Sequence, residues 1–335
     1  MDHTDTYGSD QNGLVWAYRF SSGEAPLPLE ADTITSDPSS APATGTFLWL
    51  HGALANTACE RWLRKSFRLP EAYFRSLTEQ APSTRLELDD DMLIAVLHDA
   101  AFDFTFDPEN VSTVHLCLTP QLLITARLRP VRSVERLRAT VRSGQAFRSI
   151  AELLAHLLRQ QAEVLTEILG QAARSVDSIE DNLLANRIAA SRRDLGTLRR
   201  TLVRFQRLLA PEPSAFFRLL ARPPGWMSPD DLQDLRQAAE EFAAATADGA
   251  SLIERVKLLQ EELAAVVGEE TNRTLFVLTL VTVLALPINL AAALLGMNVG
   301  GIPWANHPHG FSVVVTLLAI FTGLIAYVVM SRRRD

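Results

Sequence analysis

Between Thr274 and Ser331 the chain runs for 58 residues without one Asp, Glu, Lys or Arg, although 21% of the whole is charged. Inside that window, LFVLTLVTVLALPINLAAALL (residues 275–295) and FSVVVTLLAIFTGLIAYVVM (residues 311–330) each supply about 20 residues, the length a helix needs to cross about 30 Å of hydrocarbon. Both read as transmembrane helices. Two core helices of a soluble protein would have to be covered on every side, and here only the uncharged, turn-rich LLGMNVGGIPWANHPHG separates them. Arg273 precedes the first stretch, Arg332, Arg333 and Arg334 follow the second, and the loop between has no Lys or Arg. The positive-inside rule therefore puts both ends in the cytoplasm and the loop outside.

The mean hydropathy of +0.08 hides this hairpin, because residues 1–273 have the composition of an acidic soluble protein, with 29 basic and 38 acidic side chains and a net charge of -9. The opening MDHTDTYGSD has no basic start followed by an apolar core, so nothing directs export and the soluble part is expected to stay cytoplasmic. Cys59 and Cys117 are the only cysteines. In a reducing compartment they read as small packing residues rather than a disulfide.

GLVWAYRF, TFLWLH, DMLIAVLH, STVHLCLT and QLLITARL have the length and the Val, Ile, Leu and aromatic content of strands. ACERWLRKSF and PEAYFRSLTEQ place apolar residues at helical spacing, the latter with Pro70 and Glu71 at a helix start. A cytoplasmic α/β domain over residues 1–145 follows, with EAPLPLEADTITSDPSSAPATG as a loop. Residues 146–227 read as a cytoplasmic helical hairpin, one arm beginning SIAELLAHLL and the other running RRDLGTLRRTLVRFQRLLAPEPSAFFRLL. ARPPGWMSPDD then stops and restarts the chain: Ser228 as N-cap, Pro229 at N1 and Asp231 three residues on open a stalk helix over 228–274. Only Gly249, Gly268 and Pro287 interrupt the helical pattern from there to Leu295, and a helix from Ser228 to Leu295 would be about 100 Å long. The first transmembrane helix (275–295), the external loop (296–310), the second transmembrane helix (311–330) and a basic cytoplasmic tail (331–335) complete the chain.

Two spans cannot enclose a pathway, so several copies must surround an axis if anything is to pass. Counting in sevens gives Glu254, Glu261, Gly268, Leu275, Thr282, Asn289 and Gly296, with Leu278 and Leu286 at half-steps. One stripe thus carries carboxylates before the membrane and Thr282 and Asn289 within it, although a straight helix drifts about 20° per heptad from such a repeat. An Asn at membrane depth needs protein or water beside it. It either bonds a neighbouring helix or lines a wet path. Pro287 frees a carbonyl one turn earlier, which neighbouring groups must satisfy.

Gly296, Met297 and Asn298, a GMN triplet placed directly after an apolar helix with a proline nine residues earlier, resemble the signature of the CorA family of divalent-cation transporters. The longer GMNVGGIP is similar to the loop of its ZntB-like branch. FLWLH with RWL, QLLITAR and SIEDNLL resemble segments of that branch in the same order, so the resemblance covers nearly the whole chain. It implies a funnel-shaped homopentamer in which the first spans line the pore and Asn298 meets a cation still wearing water. That suits an ion such as Mg²⁺, which dehydrates reluctantly. Asn289 stands where relatives usually carry Thr. Leu286, Leu278 and Leu275 match the apolar constriction, which gates by dewetting, and Glu261 and Glu254 would ring a cytoplasmic vestibule.

Relatives specialised for Mg²⁺ usually end the loop in Met-Pro-Glu, whereas this chain has Ile302, Pro303 and Trp304 and no acid. That departure implies the ZntB-like branch and Zn²⁺ as cargo, with coupling to protons; a CorA-type Mg²⁺ and Co²⁺ channel is the alternative, and Ni²⁺ and Cd²⁺ are further ions of the class. His307 and His309 suit Zn²⁺ recruitment by ligand type, but an HPH in an exposed loop is more often simply loop. His51, His98, His115 and His156 read as packing or surface residues, and Asp89, Asp90 and Asp91 as a solvated turn. No GxxxxGK[ST], HExxH or CxxC occurs, so neither an enzyme nor a cofactor is indicated. The acidic soluble part disfavours nucleic acid. The expected partners are further copies of the chain, the lipid bilayer and divalent cations, and the expected site is the inner (plasma) membrane of a bacterial cell. A non-conducting, membrane-anchored sensor scaffold is the second class of function.

Overall fold

The computed structural model describes residues 8–21, 23–34, 45–79, 83–104, 110–185, 188–297 and 308–331. The chain divides into two compact units, Met1–Gln260 and Glu261–Asp335.

In the first unit, strand-length apolar runs build a seven-stranded sheet from β1 (Leu14–Ser21), β2 (Leu27–Leu29), β3 (Thr46–Ala53), β4 (Arg85–Asp89), β5 (Met92–Ala100), β6 (Val111–Leu118) and β7 (Leu122–Arg127). The strand order is β2-β1-β3-β7-β6-β5-β4. β3 and β7 are parallel and the other neighbours antiparallel. The register sets Leu50 beside Ile124, Ile124 beside Cys117 and Cys117 beside Ile94. This row faces α1 (Ala58–Ser66) and α2 (Glu71–Thr78), whose Cys59, Leu63, Tyr73 and Phe74 complete one core. Gly13, at φ 79°, is needed here: a Cβ on it would lie 2.6 Å from that of Cys59, and few residues other than glycine adopt that backbone.

Two strands lie where no strand is expected. Within the anticipated loop, Leu27–Leu29 pairs with β1 and Ala31–Thr33 forms a 3₁₀ turn. The outer edge of β1 presents backbone donors and acceptors that want partners, and Pro28 is tolerated because β2 is itself an edge strand. β4 joins β5 through a tight hairpin in which Asp90 adopts φ 52°, a conformation Asp tolerates better than most residues.

α3 (Arg132–Arg142) packs against β5: the buried Asp99 carboxylate accepts from Ser133 N at 2.9 Å and from its hydroxyl at 2.5 Å. α4 (Ile150–Leu184) begins at Ser149, whose hydroxyl accepts from Glu152 N, the bond of an N-cap. The second arm of the helical region is two helices rather than one, α5 (Ile188–Leu209) and α6 (Pro211–Ala221), with α5 packed against α4. Pro211 has no N–H to continue the ladder and serves as a first-turn residue instead.

α7 runs unbroken over Pro229–Leu295 and retains Pro287 inside it. Its start is a reciprocal cap: Asp231 N donates to Ser228 Oγ at 3.2 Å while Asp231 Oδ2 accepts from Ser228 N at 3.1 Å. In the second unit, α7 is followed by α8 (Gly310–Ser331), which starts with Val313 N donating to the His309 carbonyl at 3.1 Å. These are two helices long and apolar enough to cross a membrane, and the apolar window of α7 has none of its residues buried in protein.

His51, His98 and His115 are buried. His51 accepts from Arg127 Nε at 3.0 Å and lies 2.7 Å from Thr125 Oγ1; burial, then the charges of Arg127 and Arg138, holds its pKa well below the usual histidine value. Cys59 and Cys117 are buried free thiols, each pushed up to about 12 chiefly by burial.

Candidate functional site

From Glu261 to Gly296 the side chains of α7 follow about 100° per residue, the turn of an α-helix. Measured from Thr282, this places Leu275, Leu278, Leu286 and Asn289 within an arc about 80° wide, with Gly296 at its edge and Glu261 about 20° beyond the other edge. All of them are exposed in the single chain. The three leucines are 54%, 61% and 69% exposed in chain order, so an apolar row is presented with two polar rungs set into it. Asn289 follows Thr282 by about 10 Å along the axis.

The hydroxyl of Thr282 has a defined orientation. It donates to the carbonyls of Leu278 at 2.9 Å and Thr279 at 2.8 Å, so its proton is turned inward and its remaining lone pairs face away from the backbone. Thr279 does the same toward the Leu275 carbonyl at 2.8 Å. Outward lone pairs attract either a metal ion or the hydrogens of its water shell. Pro287 has no N–H to return to the Val283 carbonyl, which leaves a further backbone oxygen within the same stretch.

Gly296 N closes the last turn of α7 on the Ala292 carbonyl at 2.9 Å. A Cβ on Gly296 would stand 2.9 Å from that same oxygen, so the first residue of the GMN triplet is a steric requirement of the helix end. Met297 is 51% exposed. Asn298 and His307 lie outside the described residues. His309 caps α8 through its carbonyl. Glu254, in the first unit, is exposed and faces Lys257 Nζ at 3.3 Å, which offsets part of its charge; Glu261 is exposed in the second unit. Among the described residues, no group of three or more His, Cys, Asp or Glu is arranged to hold a metal ion. The arrangement can therefore offer neutral oxygens to a cation and its water, without a chelating cage.

A buried cluster that sequence reasoning passed over lies in the first unit, around His98 and Glu212. An acid in the first turn after a proline is the ordinary dipole-favoured position, so Glu212 carried no signal of burial.

The sequence matches the family described as CorA-like Mg2+ transporter protein over residues 44–334. It is 24% identical over 317 residues to the zinc transport protein ZntB of Pectobacterium carotovorum subsp. carotovorum (strain PC1), with 94% of each chain covered. To the divalent cation transporter CmaX of Pseudomonas aeruginosa (strain PAO1) it is 28% identical over 273 residues, covering 81% of this chain and 82% of that one. The fold is similar to the structure of full-length CmaX, with a TM-score of 0.78 at 24% identity, over 96% of this chain and 99% of that chain. With the match running from β3 to the end of α8, the chain belongs to the CorA-like Mg2+ transporter family.

Proposed function

We propose that this chain carries Zn²⁺ across a membrane along a path lined by the Thr282 and Asn289 face of α7. Transport of divalent cations follows from the family; the choice of zinc and the path belong to this proposal. The carrying observation is the exposed arc of α7, where two uncharged oxygen-bearing side chains interrupt an apolar row that nothing among the described residues covers. One copy has one such arc, so the path needs several copies around an axis. In this proposal that number is five, as the resemblance implies, with α7 inside, α8 outside and both chain ends in the cytoplasm of a bacterial cell.

In that arrangement Asn298 would stand at the external mouth and hold the hydration shell, and Asn289 and Thr282 would receive it in turn. Leu286, Leu278 and Leu275 would form the dry constriction. Glu261 and Glu254 would draw cations at the inner end, supported by the acidic soluble part. Zinc is favoured by a loop without an acidic residue and by the likeness to the zinc transport protein of Pectobacterium. His307 and His309 would recruit it at the mouth. The competing reading is a Mg²⁺ and Co²⁺ channel, favoured by the description of the matched family.

Uptake into proteoliposomes containing the purified protein decides between them. Zn²⁺ entry stimulated by an imposed proton gradient, with little Mg²⁺ entry, is the expected result. Mg²⁺ entry driven by its own gradient would establish the channel reading, and no flux of any divalent ion would leave the sensor scaffold.

A further inference from the structure

β5 is paired with β6 along its length, but on its other side β4 reaches only to Arg85 opposite Val96. Two residues further on, at His98, no strand among the described residues continues that pairing. The His98 N–H donates to Glu212 Oε1 at 2.5 Å, and the His98 carbonyl accepts from Gln161 Nε2 at 2.9 Å. Side chains from α6 and α4 thus stand in for the missing strand, and they tie those helices to the sheet. His98 Nδ1 lies 3.5 Å from the same carboxylate oxygen and 3.1 Å from Thr84 Oγ1, which donates to the Leu208 carbonyl at 3.3 Å near the end of α5.

The clasp is buried and incompletely bonded. Glu212 is 0% exposed and Gln161 and His98 are each 4% exposed. Among the described residues, neither Glu212 Oε2 nor Gln161 Oε1 has a hydrogen-bond partner. Against Gln161 and His98 lies a cavity with room for about one water, lined also by Asp99, Phe205, Leu209 and Phe242. An ionised Glu212 would leave a charged oxygen without a donor among apolar walls, which is costly. A protonated Glu212 carries no charge and so avoids that cost, and it keeps an oxygen to accept from His98 N.

We propose that Glu212, His98 and Gln161 form a proton-operated latch: a proton on Glu212 holds α4 and α6 on the free edge of β5, and its loss admits water and loosens both helices. The titratable groups that face Glu212 are His98 and Asp99 from β5. Thr84, Gln161 of α4, Phe205 of α5 and Phe242 of α7 are uncharged. Burial pushes Glu212 up to about 7, with the charge of Asp99 adding to it and the bonds from His98 opposing it. Asp99 is itself raised to about 6, chiefly by burial. Because the folded state holds the proton more tightly than the unfolded chain, local stability falls as pH rises from the ordinary carboxylate value toward the raised one. Opening is therefore about tenfold more frequent at pH 8 than at pH 6. Phe242, fully buried in the cavity wall, belongs to the helix that further along carries Thr282 and Asn289. A consequence for transport rests on the function proposed above; the latch itself does not.

The test is hydrogen exchange on the full chain in detergent at pH 6 and pH 8, corrected for intrinsic rates, with and without Glu212→Gln. Wild-type peptides from β5 and α6 should open about tenfold more often at pH 8, and the neutral isostere should show no such rise. A wild-type response that is flat, or one that survives in the variant, overturns the latch whether or not the protein transports metal. If the variant does not fold, infrared spectra of wild-type protein carrying ¹³C-labelled glutamate decide. A protonated carboxyl band present at pH 6 and lost by pH 8 supports the latch, and a carboxylate already ionised at pH 6 removes it.

Discussion

The hydroxyl of Ser149 donates to Asp231 Oδ1 at 2.5 Å across 82 residues of chain, so one carboxylate serves the N-cap residue of α4 and the reciprocal cap of α7 together. Asp231→Ala removes the acceptor for Ser149 and for both donors of Ser228, and should cost about 2 kcal/mol. Chemical denaturation of the full chain measures it. Burial alone would raise the Asp231 pKa, but the bonds from Ser149 and Ser228 and the charge of Arg148 outweigh it and hold the group below its usual value. Its contribution is therefore present above the unfolded-state pKa of Asp and is lost as pH falls through the depressed folded value, and the variant should lose this acid dependence.

Asn289→Leu and Asn298→Leu should each abolish metal flux in proteoliposomes while leaving the oligomer's elution on size exclusion unchanged. Unchanged flux in either variant would count against the path.

Thr282→Val keeps the shape of the side chain and removes the outward lone pairs. Flux should fall about tenfold, the scale of one hydrogen bond at the upper end of its net strength. Thr282→Ser should retain most of it, because a serine hydroxyl can make the same inward bonds.

Gly296→Ala brings a Cβ to 2.9 Å from the Ala292 carbonyl, an overlap worth about 1 to 3 kcal/mol at the helix end. Transport should drop while the thermal unfolding of the first unit is unaltered. Normal transport would show that the turn relaxes freely.

Cys59 and Cys117 are buried, with thiols pushed up to about 12, so neither should react with maleimide at pH 7 until the protein is denatured. Rapid labelling of the native protein would mean that the core between the sheet and α1 and α2 opens readily.

Much of the architecture is local, and so was open to sequence reasoning. The apolar stretches announce themselves because hydrocarbon tolerates no charge, and the Ser228-Pro229-Asp231 start announces a helix because a cap is made by residues three positions apart. The stripe of Leu275, Thr282 and Asn289 could be counted for the same reason: on a continuous helix, spacing along the chain determines the shared face. The GMN triplet was legible as a resemblance, and the close approach of Gly296 to Ala292 supplies a physical reason for its glycine.

Whatever depends on neighbours within a turn or on transfer to hydrocarbon is thus written along the chain. Tertiary structure alone decided the rest. β2 exists because the edge of β1 needed partners, against the loop-like composition around Pro28. The second arm became α5 and α6 because a proline that can start a helix can also end one. Glu212 looks like an exposed first-turn acid until α6 is laid on β5, where the missing strand beyond Val96 leaves the His98 backbone to be satisfied by side chains 114 and 63 residues away. Burial and its consequences for a proton arise from contacts between distant segments, and no local pattern carries them.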